Sequence, residues 1–236
     1  MAKPSQSVRS ASSLAVCLGE PTASERRARR VTLRDRSITE YLQALAQRGI
    51  APTGGAVAAL CAAQASALVM MVAQSTDAAG NTPSVQMESG SVASACEEMI
   101  TELLELMEED CRAVDALIPA LPWGRGVYAA RMTESSTLQA VLADATLSQI
   151  GVLKVGTRLL GLAEELAPLV PFRIRADLVA AVEVARSALL IALLNVDVNA
   201  SLLSDQHRTD ELSRTRDDAR VAVHRAGELA RHLGGI

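Results

Sequence analysis

The sequence predicts an all-α protein, a multihelical bundle of long antiparallel helices. Two observations lead there. Apolar residues make up 49% of the chain, yet Tyr41, Trp123, Tyr128 and Phe172 are its only aromatic residues, so the core must be built from Ala, Val, Leu, Ile and Met. Apolar positions recur at helical spacing, and strand-type alternation is rare. The length suits one domain, with or without a tail, and is enough to bury a real core.

The elements follow in order. Residues 1–36 are rich in Ser, Arg and Ala without sustained periodicity, which predicts a flexible N-terminal arm. A single helical domain is expected over 37–236. It opens with a short helix, Ser37–Gln47, stopped by the Pro52 loop. An Ala-rich helix is expected over Gly55–Gln74. Gly80, Asn81, Pro83 and several serines predict a loop over Asp77–Gly90. A long helix follows over Ser91–Leu117, broken by Pro119, Pro122, Gly124 and Gly126. Tyr128–Leu166 reads as helical with a bend near Gly151 or Gly156, ended by Pro168 and Pro171. Ala176–Leu203 is a further long helix, and Thr209–Leu233 a polar, amphipathic last one.

Composition excludes several function classes. A formal net charge of −4 argues against a nucleic-acid surface over the whole domain. The basic run Arg26, Arg27, Arg29, Arg30, Arg34 and Arg36 reads either as a solvated tail or as a contact for an acidic partner. Cys17, Cys61, Cys96 and Cys111 show no Cys-x-x-Cys spacing, which predicts reduced thiols in a cytoplasmic protein. His207, His224 and His232 pair with no Cys or carboxylate at a zinc spacing, so no metal site is expected. The apolar run Gly55–Ala73 is long enough for a membrane span. Gln64 and Ser66 interrupt it and no aromatic belt flanks it, so it reads as a buried bundle helix. Leu14–Leu18 is too short for a secretory apolar region.

Three features carry possible chemistry. Pro52-Thr53-Gly54-Gly55-Ala56 leads into the Ala-rich helix, with Thr53 as its expected cap. The bare glycines either expose backbone N–H groups to an anion or a carbonyl oxygen, or simply allow close packing. On the next long helix Leu103, Met107, Asp110, Val114 and Leu117 form one stripe. A carboxylate amid apolar residues is costly unless paired. Asp110 is therefore a general acid or base with a raised pKa, an Asp paired with an Arg from another helix, or one at a wetter edge of the bundle. Asp115, three residues from Arg112, reads as a surface ion-pair member. On the helix from Ala176, Asn195 and Asn199 lie one turn apart on one face, which suggests a polar ligand or an interhelical network. Asp177 stands at the start of that helix, as a cap or a ligand group. It faces the same way as Asn195 but lies about 27 Å from it along a straight helix. One small ligand can reach both only if the helix breaks or a second subunit contributes.

In this order, these landmarks resemble the cyclodeaminase/methenyltetrahydrofolate cyclohydrolase family. The matching segments are Pro52-Thr53-Gly54-Gly55-Ala56-Val57-Ala58-Ala59, Met71-Val72-Ala73, Glu109-Asp110-Cys111-Arg112-Ala113-Val114, Arg175-Ala176-Asp177-Leu178 and Asn195-Val196-Asp197-Val198-Asn199. The resemblance runs from about Ile38 to Asp205. Thr53 replaces a family glycine, Ala56 a Ser, Val114 a Phe and Ala176 a Ser. The resemblance implies a folate one-carbon enzyme, a methenyltetrahydrofolate cyclohydrolase or a formiminotetrahydrofolate cyclodeaminase, with a divergent site. It acts without a cofactor on a small-molecule substrate, as a homodimer with no nucleic-acid or membrane partner. On that reading Asp110 carries acid/base work and Asp177 orients the pterin or the reacting water. Thr53, Gly54, Gly55, Asn195 and Asn199 contact the ligand, and Arg173 and Arg175 hold a folate carboxylate. Two alternatives stand beside it. One is a repurposed family member performing ring closure or amine chemistry on another small molecule, and the other is a non-catalytic helical scaffold.

Overall fold

The computed structural model describes residues 32–47, 51–78, 82–117, 136–204 and 210–235. Among these residues all regular structure is helical. Six α-helices are present: α1 (Ile38–Leu45), α2 (Gly54–Asp77), α3 (Pro83–Leu117), α4 (Ser136–Leu166), α5 (Arg175–Leu202) and α6 (Asp210–Gly234). A 3-10 turn at Leu33–Asp35 precedes them, and its Leu33 is buried against the core. Residues 1–31, which hold most of the expected arm with Cys17, lie outside the described residues. So do 118–135, which hold the expected Pro-Gly break and Tyr128, and 205–209 with His207.

The local reasons for these helices are legible in the residues. Ser37 and Glu40 form a reciprocal capping box at the start of α1. Thr82 and Pro83 start α3, because proline is tolerated in a first turn where its missing N–H has no partner. The expected loop over Asp77–Gly90 is therefore shorter than predicted, and Gly90 lies inside α3. The bend expected near Gly151 or Gly156 is replaced by packing. Helix α4 runs uninterrupted through both glycines. A Cβ at Gly151 would stand 2.6 Å from Leu106 Cδ2, and one at Gly156 would stand 2.8 Å from Leu189 Cδ2. Arg112 does not reach Asp115 as expected. It lies 4.0 Å from Glu109, one turn earlier.

Helix α2 is the axis of the bundle and packs against α3, α4 and α5. Its buried positions are mostly alanine, including Ala58, Ala59, Ala62 and Ala65, so neighbouring helices approach it closely on several sides. Leu103 and Met107 of α3, Leu153 and Leu159 of α4 and Leu178 and Leu189 of α5 complete the core. Each such side chain contributes about 1.5–3 kcal/mol by leaving water. Two buried hydroxyls are satisfied within their own helices: Ser66 donates to the Ala62 carbonyl and Thr146 to the Leu142 carbonyl. Among the described residues two helices, Gly54–Asp77 and Phe172–Leu202, are long and apolar enough to cross a membrane. The first is the bundle axis.

Cross-helix contacts set the directions. Gly55 meets Asp110, so α2 and α3 run antiparallel; Gly151 meets Leu106 while Gln149 meets Asp110, and Gly156 meets Leu189 while Gln139 meets the Leu202 carbonyl, so α4 opposes both α3 and α5. Helix α6 returns along α5, tied by Arg216 and Arg220 to Asp197, and along α4 by Lys154–Glu211 and Arg225–Glu164. The start of α2, the latter part of α3, the first half of α4 and the latter part of α5 consequently meet at one end of the bundle.

Candidate functional site

Asp110 is the centre of that end and is 4% exposed. Its Oδ1 accepts a 2.7 Å hydrogen bond from Gln149 Nε2, and its Oδ2 lies 3.4 Å from the Thr53 hydroxyl. The backbone N–H of Ala56, in the first turn of α2, also favours its ionised form. Thr53 occupies the N-cap position but its side chain caps nothing. The expected Thr53 cap is therefore not formed, and at Gly55 the close approach of a neighbouring helix is the arrangement found. The anion at the positive end of α2 is the chain's own carboxylate, reaching in from α3, and the Thr53 hydroxyl turns toward it instead of toward the helix. Gly55 makes the approach possible. A Cβ there would stand 2.1 Å from Asp110 Oδ1 and 2.5 Å from Gln149 Nε2.

Burial raises the Asp110 carboxyl above its ordinary value, against the opposing pull of hydrogen bonds from Gln149, Thr53, the Ala56 N–H and Ser148. Among the described residues, the groups that oppose this shift are hydrogen-bond partners and not an arginine. Tyr41 of α1 borders the same region. Its hydroxyl is pushed up to about 12, first by burial and then by Cys111, Cys61 and Asp110. The Cys111 thiol is likewise pushed up to about 12, by burial first and Asp110 next. Two buried polar atoms here have no hydrogen-bond partner among the described residues, Tyr41 Oη and Gln149 Oε1. Each unsatisfied buried group costs about 1–3 kcal/mol.

Gly54 is exposed, and a Cβ on it would stand 3.8 Å from Asn195 Nδ2. Thr53, Gly54 and Asn195 thus form the solvent side of the site, one layer above Asp110. Asn195 donates its amide to the Ile191 carbonyl at 3.1 Å, within its own helix. Asn199 is half-buried one turn further on.

Other expected site residues stand apart. Helix α5 is unbroken, so Asp177 remains about 27 Å from Asn195. The N-cap of α5 is Ile174, which leaves Asp177 in the first turn, favourably placed for the dipole but not capping. Arg173 is exposed, and the Arg175 guanidinium lies 5.7 Å from the centroid of the Phe172 ring. Phe172 is itself 85% exposed. Gln149 and Tyr41 are the residues that sequence reasoning missed. A signal for Gln149 exists: it falls on the buried stripe Leu142, Ala145, Gln149 and Val152 of α4, a polar side chain in an apolar row. Among the described residues, no three His, Cys, Asp or Glu side chains come together as a metal site would require.

The family model described as formiminotransferase-cyclodeaminase matches residues 37–218. The chain belongs to the formiminotransferase-cyclodeaminase family. Its fold is also similar to that of formiminotetrahydrofolate cyclodeaminase from Thermotoga maritima, with a TM-score of 0.74 and 22% identity over 85% of this chain and 96% of that one. No curated protein matches the sequence. Two positions of the resemblance lie beside Asp110. Thr53, standing where a glycine was expected, touches Asp110, and Ala56, standing where a Ser was expected, supplies that carboxylate only with a backbone N–H.

Proposed function

We propose that this protein catalyses proton-coupled C–N chemistry on the one-carbon bridge of a tetrahydrofolate derivative. The reaction is hydrolysis of the methenyl form or loss of ammonia from the formimino form. The observation that supports this most directly is a buried carboxyl with a raised proton affinity, Asp110, held at the start of α2 in a chain of this family. Both reactions act on an already electrophilic carbon and need proton transfer to or from nitrogen and oxygen. Asp110 supplies that transfer, and its raised value moves it toward the working pH. Thr53 and Gln149 hold its two oxygens in place. Gly54 and Asn195 border the entrance and meet the substrate, with Asn199 further along α5. No further cofactor is invoked, and the reduced thiols Cys61, Cys96 and Cys111 suit a cytoplasmic setting.

Arg173, Arg175 and Asp177 enter this reading through a homodimer. Leu190, Leu194 and Val198 form an exposed apolar row on α5. A two-fold axis crossing α5 near Arg186, midway between Asp177 and Asn195, sets the Asp177 end of one copy beside the Asn195 end of its partner, with the apolar row of each copy facing the start of the other's α5. The arginines then meet a carboxylate of the folate tail. A second reading, a family member acting on a different small molecule, draws support from Thr53, whose hydroxyl occupies the catalytic carboxylate's own surroundings.

The test is turnover of 5,10-methenyltetrahydrofolate, followed as absorbance loss above the buffer rate, with Asp110→Asn alongside. Turnover that falls at least a hundredfold in the variant is the expected result. Binding without turnover would favour the second reading, and neither would remove the folate proposal.

A further inference from the structure

We infer that Gln149 is the positioning residue for Asp110, an amide that partners this carboxyl both when it is ionised and when it carries a proton. An ionised carboxyl only accepts hydrogen bonds, whereas a protonated one must also donate. A primary amide offers both functions, and half a turn about its terminal torsion exchanges them at the same place. In the arrangement found, Nε2 donates to Asp110 Oδ1 at 2.7 Å, while Oε1 is buried without a partner. Gln149 is 1% exposed, so it is held against Asp110 by the bundle rather than by solvent. The missing side chain at Gly55, whose Cβ would stand 2.5 Å from Nε2, leaves room for the exchange.

The groups around Asp110 come from each neighbouring element. Tyr41 comes from α1, with Cys61 of α2 near it, and Arg36, ahead of α1, acts on the neighbouring Cys111. Thr53 and the Ala56 N–H belong to the start of α2, Gln149 and Ser148 to α4, and Cys111 to its own helix. Tyr41, Cys61 and Cys111 are all pushed further toward their neutral forms. The groups that act on Asp110 against burial are all neutral hydrogen-bond partners, so its protonation is met by rearranging those bonds. When a proton arrives on Oδ1, the amide turns and Oε1 accepts the new O–H. When the proton leaves, Nε2 returns to the carboxylate. Gln149 itself neither gains nor loses a proton.

The inference rests on reading Asp110 as a proton carrier, but its test needs no folate. The full chain, labelled with ¹³C in Asp carboxyls and ¹⁵N in Gln side chains, is titrated by NMR. Asp110 is assigned by its loss in Asp110→Asn, and Gln149 by nuclear Overhauser contacts to Gly55. The Gln149 amide signals are expected to move with the same midpoint as the Asp110 carboxyl. In Gln149→Leu that midpoint moves upward, because the ionised form loses a donor. An amide that stays still through the Asp110 transition overturns the inference, as does an unmoved midpoint in the variant. Should Gln149→Leu not fold, the wild-type titration decides alone. Coincident midpoints with no folate turnover would uphold the pair and remove only the proposed reaction.

Discussion

Asp110 fills the space that any side chain at position 55 would take. The carboxylate oxygen lies 2.1 Å from where a Cβ on Gly55 would stand. This one exclusion lets a carboxyl from α3 reach the first turn of α2. Gly55→Ala is expected to displace Asp110 and Gln149 together, costing about 1–3 kcal/mol of stability and abolishing activity at the site. Gly54→Ala, whose Cβ meets nothing closer than 3.8 Å, should fold normally. Urea denaturation of both variants checks the contrast.

Asp110 also predicts the sign of a pH dependence. Burial raises its carboxyl, so the folded chain binds this proton more tightly than the unfolded chain. Stability from this group is complete below the ordinary Asp value of about 3.9 and is lost as pH rises through the raised folded value. Asp110→Asn lacks that loss. The unfolding free energy of the wild type minus that of the variant should therefore fall with rising pH across this interval. A difference that stays flat or rises contradicts the assignment.

The interior glycines of α4 should separate by what they touch. Gly156 faces the fully buried Leu189, so Gly156→Ala is expected to cost about 1–2 kcal/mol. A Cβ at Gly161 meets nothing within 4 Å. Gly161→Ala should raise stability by up to about 1 kcal/mol, through helix propensity alone. Thermal melts of the two variants read the difference directly.

If α5 carries the dimer contact, its apolar row is the place to break it. Leu194 is 66% exposed in a single copy. Leu194→Arg should shift the sedimentation of the protein from dimer to monomer while leaving its helicity intact. Turnover should fall with it, because the Asp177 end of one copy would no longer meet the Asn195 end of another. A monomeric variant with full activity would show a site complete within one chain.

Much of this protein is readable before folding. The scarcity of aromatic residues and the helical spacing of the apolar ones dictate an alanine-rich helical bundle. Ser37 and Glu40 announce α1, and the row through Leu103, Met107 and Asp110 marks a carboxyl bound for the interior. These are local signals, carried by residues within a few turns of one another. What answers Asp110 is not local. Gln149 lies on another helix, the Ala56 N–H at the start of a third, and the tolerance for both depends on the absent side chain of Gly55. Likewise the glycines that read as bends in α4 serve to admit Leu106 and Leu189. One-dimensional periodicity tells which face of a helix turns inward. Only the packed bundle decides which group from another helix meets it there, because that depends on how the helices are placed against one another along their lengths.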